Sequence, residues 1–204
     1  MQDTNNELSP DELRVINDTG FFKVKREISH KIQESLAVLG ENITEVLQRY
    51  PDQIPSGIMN IAPKISQGER YLELPWLILD YPRGFTGEDV FAFRSMFWWG
   101  KHFSFTIHIS GKHFESIERK LRENISMLRN KDFYICVNKD QWQHHFEKTN
   151  YRLLDELSEK ETAAYIHDAA FIKLGRKLPL NSFSEMIDYG TETYKEFMKM
   201  ISKT

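Results

Sequence analysis

The sequence predicts an α+β fold: an antiparallel sheet with a central hairpin, flanked by N-terminal and C-terminal helices. Three patterns carry the prediction. Phe21, Val24, Ile28, Ile32, Leu36 and Leu39 recur at helical spacing. Phe183, Ile187, Tyr194, Phe197, Met198 and Ile201 do the same near the other end. Between them, VFAFRSMFWW and HFSFTIHI are aromatic and β-branched runs separated by Gly100-Lys101, a hairpin pattern.

The elements follow in order. Ser9, Pro10 and Glu12 in SPDEL form a helix start with a capping box. The section 9–50 is expected to be helical. Residues 50–68 hold Pro51, Pro55 and Pro63 and form a long connection. A strand is expected over 71–80, with Pro75 pointing to an edge or a bulge. Residues 81–89 read as a turn region, and 90–99 and 102–109 as the hairpin strands. Ser110 caps a helix over 112–129 with the stripe Phe114, Ile117, Leu121, Ile125 and Leu128. FYICV, 133–137, is a buried strand, and 138–157 is helical in pieces. Residues 170–180 are strand or loop, and Ser182 with Glu185 caps the last helix. The organisation expected is one domain over 1–204, with a helical section 9–50 and the sheet and its helices over 69–204.

Composition narrows the function classes. The formal net charge of −3 offers no field for nucleic acid, so no nucleic-acid partner is expected. Cys136 is the one cysteine, so no intramolecular disulfide forms. The start, MQDTNNELSPDEL, lacks a basic n-region and an apolar run, and no stretch reaches the roughly 18 apolar residues of a membrane span. A soluble cytoplasmic protein without a membrane partner is the expectation.

Gly100-Lys101-His102-Phe103 recurs as Gly111-Lys112-His113-Phe114. Neither copy has the Gly-x4-Gly-Lys-Ser/Thr spacing of a phosphate loop, and the repeat is read as coincidence. The hairpin is more informative. A two-residue turn at Gly100-Lys101, type II′ with Gly first, opposes Trp99 to His102, Phe97 to Ser104, Ser95 to Thr106 and Phe93 to His108. That face mixes rings, hydroxyls and imidazoles, as a ligand pocket does and as a half-exposed sheet face does. The other face is apolar except for Arg94. This guanidinium is expected either to pair with Glu73, Asp80 or a helix acid, or to anchor a ligand anion.

These readings define two functional expectations. In the first, the chain binds a small anionic or aromatic molecule on the mixed face. Arg94 or Arg83 then anchors the anion, Ser95, Phe97, Trp99, Ser104 and Thr106 line the site, and His102 or His108 transfers protons if the protein is an enzyme. In the second, it is a non-catalytic interaction or assembly protein, with a homodimer as one form and Trp98, Trp99 and Trp142 as anchors. No metal site is expected, because six strand residues hold His102 and His108 about 20 Å apart and no HExxH occurs. Lys173, Arg176 and Lys177 read as a solvated face or an anion grip.

Overall fold

The computed structural model describes residues 7–203. Its elements are α1 (Pro10–Asn17), α2 (Thr19–Gln48), β1 (Lys64–Tyr71), β2 (Leu74–Thr86), β3 (Asp89–Trp98), β4 (His102–Ser110), α3 (Lys112–Asn124), β5 (Tyr134–Cys136), β6 (Tyr151–Leu153), α4 (Glu159–His167), β7 (Phe171–Pro179) and α5 (Met186–Ser202). The strands form one seven-stranded sheet in the order β1-β2-β3-β4-β7-β5-β6, each neighbouring pair antiparallel. The chain therefore has the expected α+β class, with helices on the N-terminal and C-terminal sides of an antiparallel sheet. No helix among the described residues is long and apolar enough to cross a membrane.

Helices α2, α3 and α5 pack on one face of the sheet. Ile32, Leu36, Leu39 and Ile43 of α2 meet Tyr194, Phe197, Met198 and Ile201 of α5 in the main core. Beneath them lie Phe91, Phe93, Phe103, Phe105 and Ile107, with the Phe93 and Tyr194 rings stacked at 4.7 Å. The opposite face is covered by the irregular segment 137–150, which joins β5 to β6. Val137 N donates to Asn150 O at 2.8 Å, so its ends meet like those of an Ω-loop.

Several local expectations hold and others shift. The Ser9–Glu12 capping box forms, with Ser9 Oγ accepting from Glu12 N. The Ser182–Glu185 box does not: 180–185 wind as a 3₁₀ turn and α5 begins at Met186 without a side-chain cap. Ser110 hydrogen-bonds the Glu88 carbonyl instead of capping α3, whose N-cap is Gly111 and which ends at Asn124. The long connection 50–68 ends in a strand, β1, and the proposed turn region 81–89 is mostly strand β2, with a register shift between Asp80 and Arg83. Pro75 lies near the start of β2, an inner strand and not an edge, where the pairing with β1 shifts register between Gly68 and Tyr71, as the bulge alternative expected. The stretch 138–157 contains no α-helix. Asn138 Oδ1 accepts from Asp140 N and Asp140 Oδ1 from Trp142 N, and these Asx turns occupy donors that a helix would need.

The hairpin register differs by one residue in β3. Trp98, not Trp99, opposes His102, and the series continues as Phe97↔Phe103, Met96↔Ser104, Ser95↔Phe105, Arg94↔Thr106, Phe93↔Ile107 and Ala92↔His108. The turn explains it. Lys101 N donates to Trp98 O at 3.1 Å and Gly100 has φ +67. Positive φ at the third position fits a type II turn, so Gly100 is not the first residue of a type II′ pair. The shifted register places Phe91, Phe93, Phe97, Phe103, Phe105, Ile107 and Ile109 on the helix side. A one-residue slip would exchange half of that set for polar groups.

Gly190 of α5 sits where a helix crosses the sheet closely. A Cβ there would lie 2.6 Å from Phe105 Cε1. Glycine to alanine within a helix ordinarily stabilises by up to about 1 kcal/mol. Here Gly190→Ala is expected to destabilise by about 1–3 kcal/mol through overpacking, read as a lower urea midpoint at unchanged m-value.

Candidate functional site

The face under the 137–150 segment collects the polar residues of the sheet. The hairpin register turns Arg94 to the same side as His102, Ser104, Thr106 and His108. Pairing of β4 with β7 adds Lys173 opposite His108, and β5 and β6 add Tyr134, Cys136 and Tyr151. Arg94 therefore lies not on an apolar face but at the centre of a polar one.

Arg94 is paired as one of the two sequence readings proposed. Its Nε and Nη2 donate to the Asp80 carboxylate at 2.7 and 2.9 Å, a bidentate bridge across β2 and β3. Its Nη1 lies 3.0 Å from His144 Nε2. A guanidinium only donates, so that imidazole nitrogen accepts and the ring takes the neutral Nδ1–H tautomer. Burial, followed by Lys173 and Arg94, holds the His144 pKa well below its ordinary value.

Lys173 anchors the covering segment from below. It is 1% exposed, and its ammonium donates to the carbonyls of Gln141 and Gln143 at 2.9 and 2.6 Å. Burial lowers its pKa to about 8. Tyr71 Oη in turn accepts from the backbone N–H groups of His144 and His145 at 2.7 and 3.1 Å. Tyr151 stacks on Phe146 at 4.3 Å, and its buried hydroxyl has no hydrogen-bond partner among the described residues.

The predicted site residues divide between three places. His108 is buried, and its Nε2 bonds Gln141 Oε1 at 2.7 Å, while the Trp142 ring lies edge-on 5.4 Å away. His102 packs edge-on between Trp98 and Phe146. Ser104 and Thr106 are buried on the same face, Thr106 donating to Arg94 O. Ser95 and Phe97 point to the helix side, where Ser95 Oγ bonds Tyr194 Oη at 2.8 Å. Phe97 lines a separate apolar cavity of about 290 Å³ with Trp99, Phe103 and Phe183. Arg83 lies elsewhere on β2 and donates to Ala62 O at 2.8 Å. The three tryptophans of the assembly expectation share no surface: Trp98 is buried, Trp99 lines that helix-side cavity, and Trp142 is 48% exposed on the covering segment.

A cavity of about 320 Å³ opens beside Arg94 on the polar face. Tyr71, Trp76, Met96, Trp142 and His144 line it, and Arg70 stands at its rim. Sequence reasoning missed Tyr71, Trp76 and His144, and its reading of Lys173 as part of a solvated face is corrected by a side chain 1% exposed that bonds two backbone carbonyls. For Lys173 a signal existed: Ile172 and Leu174 flank it in a strand whose neighbours are buried. Nothing local marked the others. A larger cavity of about 620 Å³ lies between α4 and the start of the covering segment, lined by Ala164, Ala169, Tyr165 and Cys136. Burial raises the thiol pKa there, which lowers the thiolate fraction at neutral pH. Among the described residues no group of three or more His, Cys, Asp or Glu is arranged to hold a metal ion.

Fold and cavity together define the class: an α+β protein with an aromatic, cation-lined cavity on the sheet face away from its helices. No family model matches the chain, and neither a curated protein nor a solved structure resembles it significantly.

Two imidazoles, His108 buried and His102 partly buried, fix the sign of one pH response. His102 is pushed down to about 4 by burial and by Lys177 and Lys101, and His108 to about 3 by burial and by Lys173. Between about pH 6.5 and these values the unfolded chain binds protons that the folded chain refuses, so stability falls as pH falls. His108→Gln is expected to flatten the slope of unfolding free energy against pH between about pH 4 and 6, by up to about 1.4 kcal/mol per pH unit. Urea titrations of both proteins at several pH values measure it.

Proposed function

We propose that the chain binds a small aromatic molecule carrying a carboxylate or phosphate in the cavity beside Arg94. The observation that carries this reading is Arg94 itself. Asp80 and His144 take three of the five guanidinium N–H groups, and two remain at a cavity whose other walls are the rings of Tyr71, Trp76, Trp142 and His144 together with Ser66, Ile78 and Met96. The cavity holds roughly ten water volumes, enough for a one-ring acid or a small phosphate ester. Trp76, Tyr71 and Trp142 supply ring faces for stacking, and Arg70 adds a second positive charge at the rim.

Binding, not catalysis, is the function this arrangement favours. His102 and His108 do not line the cavity, and both stay neutral and weakly basic near pH 7. Their role in this reading is packing and support of the 137–150 segment.

Calorimetry with a panel of aromatic acids, phosphate esters and their neutral amide analogues tests the proposal. Acids are expected to bind and to quench tryptophan fluorescence, and the amides are not. Arg94→Lys keeps a cation but loses the fork, and Trp142→Ala removes an exposed ring. Trp142→Ala is expected to weaken binding about tenfold, the equivalent of one stacking contact, with little change in melting temperature. Equal affinity for acids and amides, or binding indifferent to both substitutions, would place the ligand elsewhere.

A further inference from the structure

The 137–150 segment is held from below by groups that are cations or become cations on protonation. Arg94 bonds His144, Lys173 bonds the carbonyls of Gln141 and Gln143, and His108 bonds the Gln141 side chain. Among the described residues of this face Asp80 is the one buried acid, and Arg94 occupies both of its oxygens. The decisive contact is Arg94 to His144. A guanidinium has no acceptor, so His144 Nε2 must accept, and only an unprotonated nitrogen can. The protonated ring carries N–H at both nitrogens, and no rotamer turns an acceptor to Arg94. Arg94 cannot withdraw, because the Asp80 carboxylate holds its Nε and Nη2.

The surrounding elements offer the imidazolium no anion. Lys173 of β7, His108 of β4 and His145 of the segment face the ring and add positive charge or take it up. Tyr71 of β1 packs its ring at 5.6 Å. Cys136 of β5 and Tyr151 of β6 lie beside Lys173, and burial keeps both neutral. Asp140 of the segment is exposed, and its oxygens accept from Trp142 N and Gln143 Nε2.

We propose that the 137–150 segment is an acid-opened lid, lifted when His144 takes up a proton and loses its bond to Arg94, with His108 taking up a second. What the lid governs rests on the ligand reading above: Trp142 and His144 are walls of the cavity beside Arg94, so opening removes them and releases the bound anion. The direction of the titrations agrees. Burial, then Lys173, holds His144 well below 6.5 and His108 down to about 3 while the segment is closed. The open form accepts these protons near 6.5 and the closed form refuses them, so opening is favoured as pH falls below about 6.5. Each imidazole multiplies the open-to-closed ratio by up to about tenfold per pH unit. Lys173, lowered to about 8, is protonated in both forms below that pH and adds no slope there.

Hydrogen exchange of the full chain, read by mass spectrometry and normalised to intrinsic rates, tests the lid without any ligand. Between about pH 6.5 and 5 the amides of His144 and His145, which donate to Tyr71, are expected to lose protection about tenfold or more, while those of β3, β4 and α5 keep theirs. His144→Gln supplies an acceptor that does not titrate, and it is expected to remove most of the response. His144→Arg supplies a permanent cation, and it is expected to open the segment at pH 7 over a protected core. Equal protection of the segment at both pH values, loss of core and segment together, or an unchanged response in His144→Gln would overturn the inference. If aromatic acids fail to bind but the segment opens through His144, the lid stands and the ligand reading falls. A segment that stays shut while acids bind does the reverse.

Discussion

The register of the β3–β4 hairpin is the constraint on which the rest of the structure depends. Gly100 adopts positive φ at the third position of the turn, and Trp98 consequently faces His102. From that pairing every odd-numbered residue of β3 from Phe91 to Phe97 turns toward the helices, and every even one from Ala92 to Trp98 turns away. The core and the polar face are two consequences of one turn. Side chains alternate strictly along a strand, so neither face can change without the other.

The separation of the faces lets the sheet support two kinds of packing. On the helix side, α2 and α5 bury aromatic rings against aromatic rings, and Gly190 permits the backbone of α5 to approach Phe105. On the other side no helix lies among the described residues. The 137–150 segment covers the sheet through polar contacts from below: Lys173 to two carbonyls, Arg94 to His144, His108 to Gln141, and Tyr71 to two backbone N–H groups. A loop can cover a sheet only if its backbone groups find partners, and these buried side chains provide them. The arrangement places cations and neutral imidazoles under the loop with Asp80 as the buried acid, and the remaining donors of Arg94 border the cavity.

How much of this was readable in advance can be argued residue by residue. The helices at both ends, the hairpin and the strand at 133–137 follow from apolar periodicity, which reports burial directly. Arg94 stood out because a charge among apolar strand residues must be compensated, and Asp80 was among its named partners. The assignment of Ser95, Phe97 and Trp99 to the mixed face failed because a single glycine is compatible with turns of two different lengths. The covering segment was misread as helix because its Asx turns depend on which backbone donors Asn138 and Asp140 reach.

The sequence by itself determined the secondary elements whose apolar period is long and regular, the antiparallel hairpin, and the need of Arg94 for an anionic partner. These are local properties, decided by burial and by the chemistry of one side chain at a time. Only the tertiary structure decided which face each hairpin residue occupies, that Lys173 is buried while Arg70 is not, and that Tyr71, Trp76, Trp142 and His144 meet around Arg94. Those residues lie on three separate stretches of chain. Their meeting depends on strand order and loop path, which no short-range pattern encodes.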